Sequence, residues 1–212
     1  FPLFTDDERV VVGTTYKQVG KSEAIDEGLK FVGPKLQSLA ARARELFESQ
    51  KSPKPLLVYC WRGGMRSGSV GWLLRTAQIP TAICEGGYKA CRTHFNEVLG
   101  ASRPYVVVGG MTGSAKTQVI HALQDEAEWT LDLEGLAKHY GSAFGNLEEH
   151  AQPSTEHFAN LLAWELMALD ASKEGRAIWV ENESRQIGRV YVPEVFHKRL
   201  RTAPVLECER TE

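Results

Sequence analysis

The stretch that decides the fold reads Tyr105-Val-Val-Val-Gly-Gly-Met-Thr-Gly-Ser-Ala-Lys-Thr117. Residues 105–108 have the composition of a short buried strand, and a helical pattern follows over residues 116–124. The turn between them matches the phosphate-binding pattern G-x-x-x-x-G-K-T from Gly110 to Thr117, except that Ala115 stands where the pattern has glycine. A strand, a glycine-rich turn and a helix in this order predict a P-loop within an α/β domain.

Each polar group of this P-loop has a predicted task. The residues expected to contact phosphate groups are Gly110, Gly113, Ser114, Ala115, Lys116 and Thr117. Lys116 would neutralise a β-phosphate, and Thr117 would hold Mg²⁺ if a metal is used. A loop that still wraps a diphosphate is expected to keep Ala115 in helical or bridge torsions, because a Cβ disfavours the left-handed region.

Acidic residues follow two further strand patterns in the second half of the chain. The pattern 129–132 ends in an aspartate, and the pattern 177–180 runs into Glu181-Asn-Glu183. Carboxylate oxygens are ligands that Mg²⁺ accepts beside bound phosphates. The metal candidates are therefore Thr117, Asp132 and Glu181, with Glu183 as a further acid at a strand end.

The first half of the chain alternates strand and helix patterns. They follow the order strand 56–59, helix 66–76, strand 81–84 and helix 88–99, after a helical region 22–49 that is broken near Gly33. This alternation is typical of a parallel sheet covered by helices. A change in composition at residues 100–104 separates this half from the P-loop half. The chain is therefore predicted to form two α/β domains, 1–100 and 104–212.

A second glycine-rich loop, Cys60-Trp-Arg-Gly-Gly-Met-Arg-Ser67, joins the first strand pattern to a helix. Successive backbone N–H groups, the helix N-terminus and two arginines can surround an anionic group on the Cys60 sulfur. The same surroundings lower a thiol pKa toward the thiolate. Cys60, Arg62 and Arg66 are therefore the predicted catalytic residues. The other cysteines, Cys84, Cys91 and Cys208, are predicted to be inert.

The spacing Cys-x5-Arg fits two chemistries. One is a phosphatase that forms a phosphocysteine, and the other is a rhodanese-like transferase that carries a persulfide or selenide on sulfur. Both need a thiolate and a cradle for an anion, so the loop alone leaves the choice open. Tyr59 stands where tyrosine phosphatases usually carry histidine, which weakens the phosphatase alternative.

Composition excludes several classes of protein. The chain has 212 residues and a net charge of −2, which is not the strongly basic balance of a dedicated nucleic-acid binder. Its longest apolar runs are strand-sized, so no membrane span is predicted. Its four cysteines form no Cys-x-x-Cys pair, so we expect no zinc, no haem and no disulfide framework. A reducing, cytoplasmic setting is the natural expectation.

The Cys60 loop and the P-loop, taken together, resemble the tRNA 2-selenouridine synthases. The blocks 12–18, 85–90, 132–145 and 181–189 are similar to that family as well, so the resemblance covers essentially the whole chain. It implies a partial rhodanese-like domain followed by a P-loop NTPase-like domain, with the N-terminal part of the first and the C-terminal part of the second missing. It also implies that selenium from selenophosphate replaces sulfur in the wobble 2-thiouridine of tRNA, through an S-geranylated intermediate made from geranyl diphosphate.

The resemblance assigns roles by position in the chain. Cys60 looks like the catalytic cysteine, with Arg62 and Arg66 as its anion-binding neighbours. Residues 110–117 look like the diphosphate cradle, in which Ala115 replaces the family's usual glycine. The expected partners are tRNA and an enzyme that supplies selenophosphate. The basic residues expected to contact tRNA are Arg62, Arg66, Arg75, Lys89 and Arg92, and the stretch 185–201.

Two alternatives from other functional classes stay open at this point. The first is a P-loop ATPase or kinase that uses a rhodanese-like module for binding only. The second is a phosphatase built on the Cys-x5-Arg loop. Turnover of ATP without tRNA would favour the first, and release of phosphate from an aryl phosphate would favour the second.

Overall fold

A computed structural model describes residues 2–111, 114–139, 151–171 and 175–209 of the chain. The chain divides into two compact units, Phe1–Cys91 and Arg92–Glu212. Both units combine helices with parallel strands, as the predicted α/β class requires. Within the described ranges, no helix is long and apolar enough to cross a membrane.

The first unit holds a two-stranded parallel sheet. Its elements are α1 (Asp6–Gln18), α2 (Lys21–Val32), a 3-10 turn (Gly33–Lys35), α3 (Leu36–Glu48), β1 (Leu56–Val58), α4 (Met65–Thr76), β2 (Thr81–Ile83) and the start of α5 (Gly87–Gly100). Leu56 of β1 lies opposite Thr81 of β2. A small core is formed by Ala43, Val70, Leu74 and Ile79. The alternation of strands and helices predicted for residues 56–99 is therefore confirmed.

Helix α1 is absent from the patterns read above. None of its residues is buried, so it has no apolar face that a periodicity could reveal. Its N-terminus carries the local signal. Thr5 N–H donates to Glu8 Oε2 at 2.9 Å, and Glu8 N–H donates to Thr5 Oγ1 at 3.3 Å. This capping box satisfies two of the N–H groups that the first turn leaves without a partner.

The second unit is built on a four-stranded parallel sheet in the order β4-β5-β3-β8. Its elements after α5 are β3 (Tyr105–Gly109), α6 (Lys116–Asp125), β4 (Trp129–Leu131), α7 (Leu133–Ala137), α8 (Thr155–Ala171), β5 (Ile178–Glu181), β6 (Gln186–Ile187), β7 (Val190–Tyr191), α9 (Glu194–Leu200) and β8 (Val205–Glu207). The short strands β6 and β7 pair with each other as an antiparallel hairpin. Side chains from α8 and α9, including Phe158, Leu162 and Phe196, are completely buried.

The sheet brings the predicted phosphate and acid residues to one edge. Strand β3 is paired on both sides, with Val108 opposite Glu181 of β5 and opposite Leu206 of β8. Because the three strands are parallel, the P-loop after β3 and the acidic stretch after β5 leave the sheet at the same carboxyl edge. This is where an open α/β sheet binds its ligand.

The second unit begins within α5 rather than in the predicted composition break at residues 100–104. The reason is that the later turns of α5 pack on α8. The Phe95 ring meets the Trp164 ring edge to face at 5.5 Å between centroids. The Arg92 guanidinium also donates to Asn160 Oδ1 at 2.6 Å. A composition change marks a loop, but packing decides which unit a helix joins.

Candidate functional site

The Cys60 loop lies between β1 and α4, and the start of α5 supports it from below. The N–H of Tyr88 donates to the Cys60 carbonyl at 2.9 Å, and the N–H of Lys89 donates to the Trp61 carbonyl at 3.0 Å. These bonds use N–H groups of the first turn of α5, which have no partner within the helix. The loop is therefore fixed by backbone bonds on the side away from the sulfur.

Two glycines allow this close approach. Gly63 has φ +66°, and a Cβ there would lie 2.9 Å from the Cys84 carbonyl oxygen and 2.8 Å from the Gly87 nitrogen. Gly87 has φ +64°, and a Cβ there would lie 2.8 Å from the Arg62 carbonyl carbon. A side chain at either position would push the two turns apart. The glycines of the loop thus serve its backbone geometry, as the sequence pattern indicates.

The Cys60 sulfur lies in a cradle of donors. Its Sγ is 3.3 Å from Ser67 Oγ, and Ser67 is 1% exposed. Burial of the sulfur raises the pKa of Cys60, but the hydroxyl and the backbone N–H of Ser67 lower it. The backbone N–H groups of Arg62 and Gly64 lower it further, so the pKa falls to about 7. A large fraction of this thiol is therefore thiolate at neutral pH.

The two predicted arginines differ in how they relate to the sulfur. Arg62 contributes its backbone N–H rather than its guanidinium to the lowered pKa of Cys60. Arg66 lines a cavity of about 520 Å³ that also reaches Cys60 and Ser67. Both side chains are exposed. The loop backbone thus lowers the pKa of Cys60, and the role of the two guanidinium groups in binding an anion stays a prediction.

Two of the remaining cysteines form a pair of their own. Cys84 Sγ lies 3.1 Å from Cys91 Sγ, and both residues belong to the first unit. The hydrogen bond with Cys91 raises the pKa of Cys84, and burial raises it as well. A thiol with a raised pKa is a poor nucleophile at neutral pH. This contrast singles out Cys60 as the reactive thiol of the first unit.

The P-loop of the second unit departs from the expected torsions at Ala115. The residue has φ +66° and ψ 27°, which is the left-handed conformation, and it is the N-cap of α6. The expectation of helical or bridge torsions is therefore wrong. The chain needs the left-handed geometry here because the loop must turn its N–H groups inward, and that geometry is what glycine normally supplies. Gly113 lies outside the described residues.

Lys116 and Ser114 supply further polar groups of the P-loop. Lys116 Nζ donates to the carbonyls of Gly110 and Met111 at 3.1 and 3.3 Å. Ser114 Oγ is buried and has no hydrogen-bond partner among the residues that the structure describes. Gly110 has φ +143°, and a Cβ there would lie 2.9 Å from the Cys208 carbonyl oxygen. A phosphate group would give Ser114 the hydrogen-bond partner that it lacks. It would also offer Lys116 a charged acceptor in addition to the two carbonyls.

Three carboxylates meet beside Thr117. The ligand oxygens of Glu134, Glu181 and Glu183 all lie within 4.8 Å of one another. Thr117 Oγ1 is 3.3 Å from Glu134 Oε2 and 3.4 Å from Glu181 Oε2. Hard oxygen ligands of this kind fit Mg²⁺ next to a bound phosphate. Thr117 and Glu181 are thus brought together as the sequence suggests.

Asp132, the third metal candidate, has a different task. Its Oδ1 accepts from the Gly135 N–H at 2.7 Å and caps helix α7. Its Oδ2 lies 3.2 Å from His121 Nε2. An aspartate just before a helix is a common N-cap, and here that role occupies its carboxylate.

Burial keeps Glu181 protonated at neutral pH. The residue is completely buried, and this burial raises its pKa to about 8 against the bond donated by the Glu134 N–H. The charges of Asp132, Glu134 and Glu183 raise the pKa in the same direction. The carboxylates of the cluster therefore repel a further negative charge at Glu181, and a divalent cation would offset this repulsion.

Comparison with known proteins now adds an independent observation. The family description "tRNA 2-selenouridine synthase AAA domain" matches residues 103–212. A tRNA 2-selenouridine synthase from Nitrosomonas europaea is 36% identical over 208 residues, which are 97% of this chain and 53% of the relative. The enzymes of that name from Shewanella piezotolerans and Shewanella woodyi are 37% and 38% identical, over 98% and 100% of this chain.

The chain belongs to the tRNA 2-selenouridine synthase family. It spans about half the length of the curated synthases that it matches, since it covers 53% and 56% of them. A solved structure of an N-terminal domain from Clostridium difficile 630, described as an ATP/GTP binding protein, aligns with a TM-score of 0.41. That alignment has 42% sequence identity and covers 44% of this chain and 70% of the other.

Two residues of the synthase sites were missed by sequence reasoning. In the sequence Ser67 is only the last residue of the Cys60 loop, yet its buried hydroxyl contacts the sulfur. Glu134 was not a metal candidate, yet it contacts Thr117. Its position just after a strand-end acid is the only local signal, and it is a weak one because acids are common at helix starts.

The left-handed torsion of Ala115 leads to a prediction for this family member. Ala115→Gly is expected to raise the free energy of unfolding by roughly 1 kcal/mol, because glycine adopts this torsion without the penalty of a Cβ. Affinity for geranyl diphosphate should change by less than about tenfold, since the loop already has the required shape. Thermal melts and titration calorimetry measure the two quantities.

A matched control is available on the same helix. Ala127, just beyond α6, has φ +61° and lies away from the P-loop. Ala127→Gly should stabilise the protein to a similar extent and leave the affinity unchanged. A gain in affinity above about tenfold in Ala115→Gly alone would mean that the alanine Cβ obstructs the phosphate site.

The buried carboxyl of Glu181 predicts a pH dependence of stability. Its pKa is about 8 in the folded protein, against an ordinary value of 4.5, so folding favours the protonated form. When a chelator removes divalent cations, the contribution of the Glu181 carboxyl to the free energy of unfolding is fully present below about pH 4.5. It is lost as the pH rises through 8. Denaturant unfolding at several pH values should show the decline, and Glu181→Gln should flatten it. An unchanged slope in that variant would contradict the assignment.

Proposed function

We propose that this chain carries the two chemical sites of a tRNA-modifying enzyme that replaces sulfur by selenium in wobble 2-thiouridine. Membership of the synthase family supports the tRNA and the selenium. The observation that carries the proposal is the Cys60 sulfur, which lies among backbone N–H groups with a pKa of about 7. A nucleophile with this pKa and an adjacent anion cradle suits transfer from a selenophosphate donor.

In this proposal the Cys60 thiolate attacks C2 of the S-geranylated base, and the C2–S bond to the geranyl sulfur breaks. The selenium of selenophosphate then attacks C2 and expels the Cys60 thiolate, and water takes up the phosphoryl group as the Se–P bond breaks. The N–H groups of Arg62 and Gly64 hold the negative charge on the Cys60 sulfur, and the Ser67 hydroxyl donates to the same atom. The exposed guanidinium of Arg66, at the cavity that reaches the sulfur, binds the phosphate part of selenophosphate. Arg62 offers a second guanidinium on the same loop.

The P-loop is proposed to bind geranyl diphosphate. The 2-thio sulfur of the base attacks C1 of the geranyl group, the C1–O bond breaks, and its electron pair leaves with the diphosphate. Lys116 and the loop N–H groups neutralise the charge that develops on this leaving group. The alkylated sulfur then departs as a geranyl thiol when the Cys60 thiolate attacks C2. Both sites are thus used in sequence on one base.

Mg²⁺ fits this diphosphate site. Thr117, Glu134, Glu181 and Glu183 would hold it, and it would supply charge neutralisation of the diphosphate. Binding of the cation would also release the proton of Glu181, whose pKa is raised by burial. The protein's own part is to present four oxygen ligands and a lysine around one phosphate-sized space.

The proposed partners follow from the chemistry. They are tRNA with a wobble 2-thiouridine and an enzyme that supplies selenophosphate, both in the cytoplasm. Of the basic residues expected to contact tRNA, Arg62, Arg66, Arg75 and Lys89 are exposed. Arg92 donates to Asn160, and Arg199 donates to the Gly100 carbonyl at 3.1 Å. These last two side chains have structural partners, which makes them weaker candidates for a contact with tRNA.

The decisive experiment measures the modified nucleosides directly. The protein is incubated with thiolated tRNA, geranyl diphosphate and selenophosphate, and the digested tRNA is analysed by mass spectrometry. The expected result is S-geranyl-2-thiouridine without selenophosphate and 2-selenouridine with it. The absence of both products would refute the proposal, and selenouridine formed equally well without geranyl diphosphate would refute the geranyl step alone.

The acid cluster beside Thr117 also favours a second candidate, a P-loop ATPase or kinase. Three carboxylates around a P-loop threonine suit a magnesium nucleotide as well as a magnesium diphosphate. Release of phosphate from ATP in the absence of tRNA would support this candidate. Geranylation of tRNA without any nucleotide would exclude it.

A further inference from the structure

Three aromatic side chains form a cluster around the Cys60 loop, of which Tyr59 and Trp61 are exposed and Tyr88 is half-buried. The Tyr59 and Tyr88 rings are stacked with 6.2 Å between centroids, and the Trp61 ring lies 5.7 Å from the Tyr88 ring. Tyr59 is 58% exposed and Trp61 is 53% exposed. We name Tyr59, Trp61 and Tyr88 the aromatic platform. Met65, 55% exposed, follows in the same loop.

The platform has no part in the core of the first unit. That core consists of Ala43, Val70, Leu74 and Ile79, with further apolar side chains around it. Large aromatic rings bury most of their surface when they serve stability. The Tyr59 and Trp61 rings, each more than half exposed beside the nucleophile, are instead available to a ligand.

The position of the platform relative to the sulfur is set by the chain. Tyr59 and Trp61 are the direct neighbours of Cys60 in sequence. The third ring is held by the bond from the Tyr88 N–H to the Cys60 carbonyl at 2.9 Å. A ligand that lies on these rings is therefore within reach of the sulfur.

The charge around the platform identifies the class of ligand. Exposed Arg62, Arg66 and Lys89 lie in the same loop and in the first turn of α5. The acids near them are Glu85 and Asp6, and Asp6 pairs with Arg9, so positive charge is in surplus. Aromatic rings beside cationic side chains are the means by which proteins hold unpaired nucleotides, since the bases stack and the phosphates are neutralised. An apolar chain or a protein surface would not require the surplus of positive charge.

We propose that the aromatic platform stacks the unpaired wobble base of tRNA and presents its C2 position to Cys60. This inference rests on the proposed function and names how the first unit holds the substrate. Trp61 supplies the main stacking face, and Tyr59 extends it. Because every base has an aromatic face, the platform supplies affinity and position, while the 2-thio group is selected by the chemistry at the sulfur.

The test compares two anticodon stem-loops that differ at one nucleotide. One carries 2-thiouridine at the wobble position, and the other has an abasic site there. Trp61→Ala is expected to weaken binding of the thiouridine stem-loop by about fivefold to a hundredfold, the usual loss when one stacking partner of a base is truncated. Binding of the abasic stem-loop should not change. Fluorescence anisotropy of labelled RNA measures both.

Three variants keep this test specific. Trp61→Phe should keep most of the affinity, because it retains an aromatic face. Tyr59→Ala should weaken the thiouridine stem-loop selectively, which gives a second test if Trp61→Ala lowers the melting temperature. Trp72→Ala is the matched control, since Trp72 is 61% exposed on α4 and outside the platform. It should leave both affinities unchanged.

The outcomes separate this inference from the proposed function. If the parent prefers the thiouridine stem-loop and Trp61→Ala and Tyr59→Ala keep that preference, the platform does not hold the base. If the variants weaken both stem-loops equally, the rings contact another part of the RNA and the inference is again wrong. If the parent protein binds neither stem-loop, the tRNA substrate itself is wrong and the inference falls with it.

Discussion

Replacing Cys60 by serine is expected to reduce the proposed selenium transfer to tRNA by roughly a thousandfold or more, because the proposed step loses its nucleophile. The cradle lowers the pKa of the Cys60 thiol to about 7. The same donors cannot bring a hydroxyl close to ionisation at neutral pH. Serine also keeps the size and the contact with Ser67, so the fold of the loop should survive. The yield of 2-selenouridine, measured by mass spectrometry, gives the effect.

The matched controls are the other two cysteines of the first unit. Cys84→Ser and Cys91→Ser each remove one sulfur of a pair that lies 3.1 Å apart, so they should alter stability and not the intrinsic rate. Thermal melts distinguish the two effects. A yield of 2-selenouridine from Cys60→Ser equal to that of the parent would show that Cys60 is not the nucleophile.

The sequence predicts both functional loops because each depends on local chemistry. A strand, a glycine-rich turn and a helix follow one another within a few residues, and such an order needs no distant contact to be recognised. The same holds for the backbone N–H cradle of Cys60, which is made by the loop itself. The sequence also predicts the α/β class, since strand and helix patterns alternate in both halves.

The features that sequence reasoning missed depend on residues that are far apart in the chain. Glu134 meets Thr117 and Glu181 only because β5 lies between β4 and β3 in the sheet. Strand β8 has three exposed residues and is a strand only through its pairing with β3. No local periodicity marks such a strand.

The expectation for the backbone torsions of Ala115 was wrong for a local reason. The P-loop pattern asks for glycine at this position because the backbone there is left-handed. Because alanine disfavours that conformation, helical or bridge torsions were expected at this position. In the structure the alanine instead adopts the left-handed conformation, with φ +66°. The other residues of the motif favour the loop conformation by more than the cost of one left-handed torsion, which is about 1 to 2 kcal/mol.

Replacing Lys116 by alanine is expected to weaken geranyl diphosphate binding by roughly 1.5 to 3 kcal/mol, the usual loss for a hydrogen bond to a charged group. That loss corresponds to about tenfold to a hundredfold in the dissociation constant. Lys116 Nζ donates to the carbonyls of Gly110 and Met111, so a phosphate oxygen would replace neutral acceptors by a charged one. Titration calorimetry measures the change.

The same substitution should act on the acid cluster, which distinguishes a charge effect from a packing effect. Burial raises the pKa of Glu183 and the charge of Glu134 raises it further, whereas the charge of Lys116 lowers it. Lys116→Ala should therefore raise the pKa of Glu183 and weaken Mg²⁺ binding near neutral pH, because protons then compete for the carboxylate. Lys198→Ala is the control, since Lys198 pairs with Glu194 on α9. Unchanged diphosphate affinity in a folded Lys116→Ala protein would remove the lysine from the site, and an equal loss in Lys198→Ala would reduce its role to general attraction of anions.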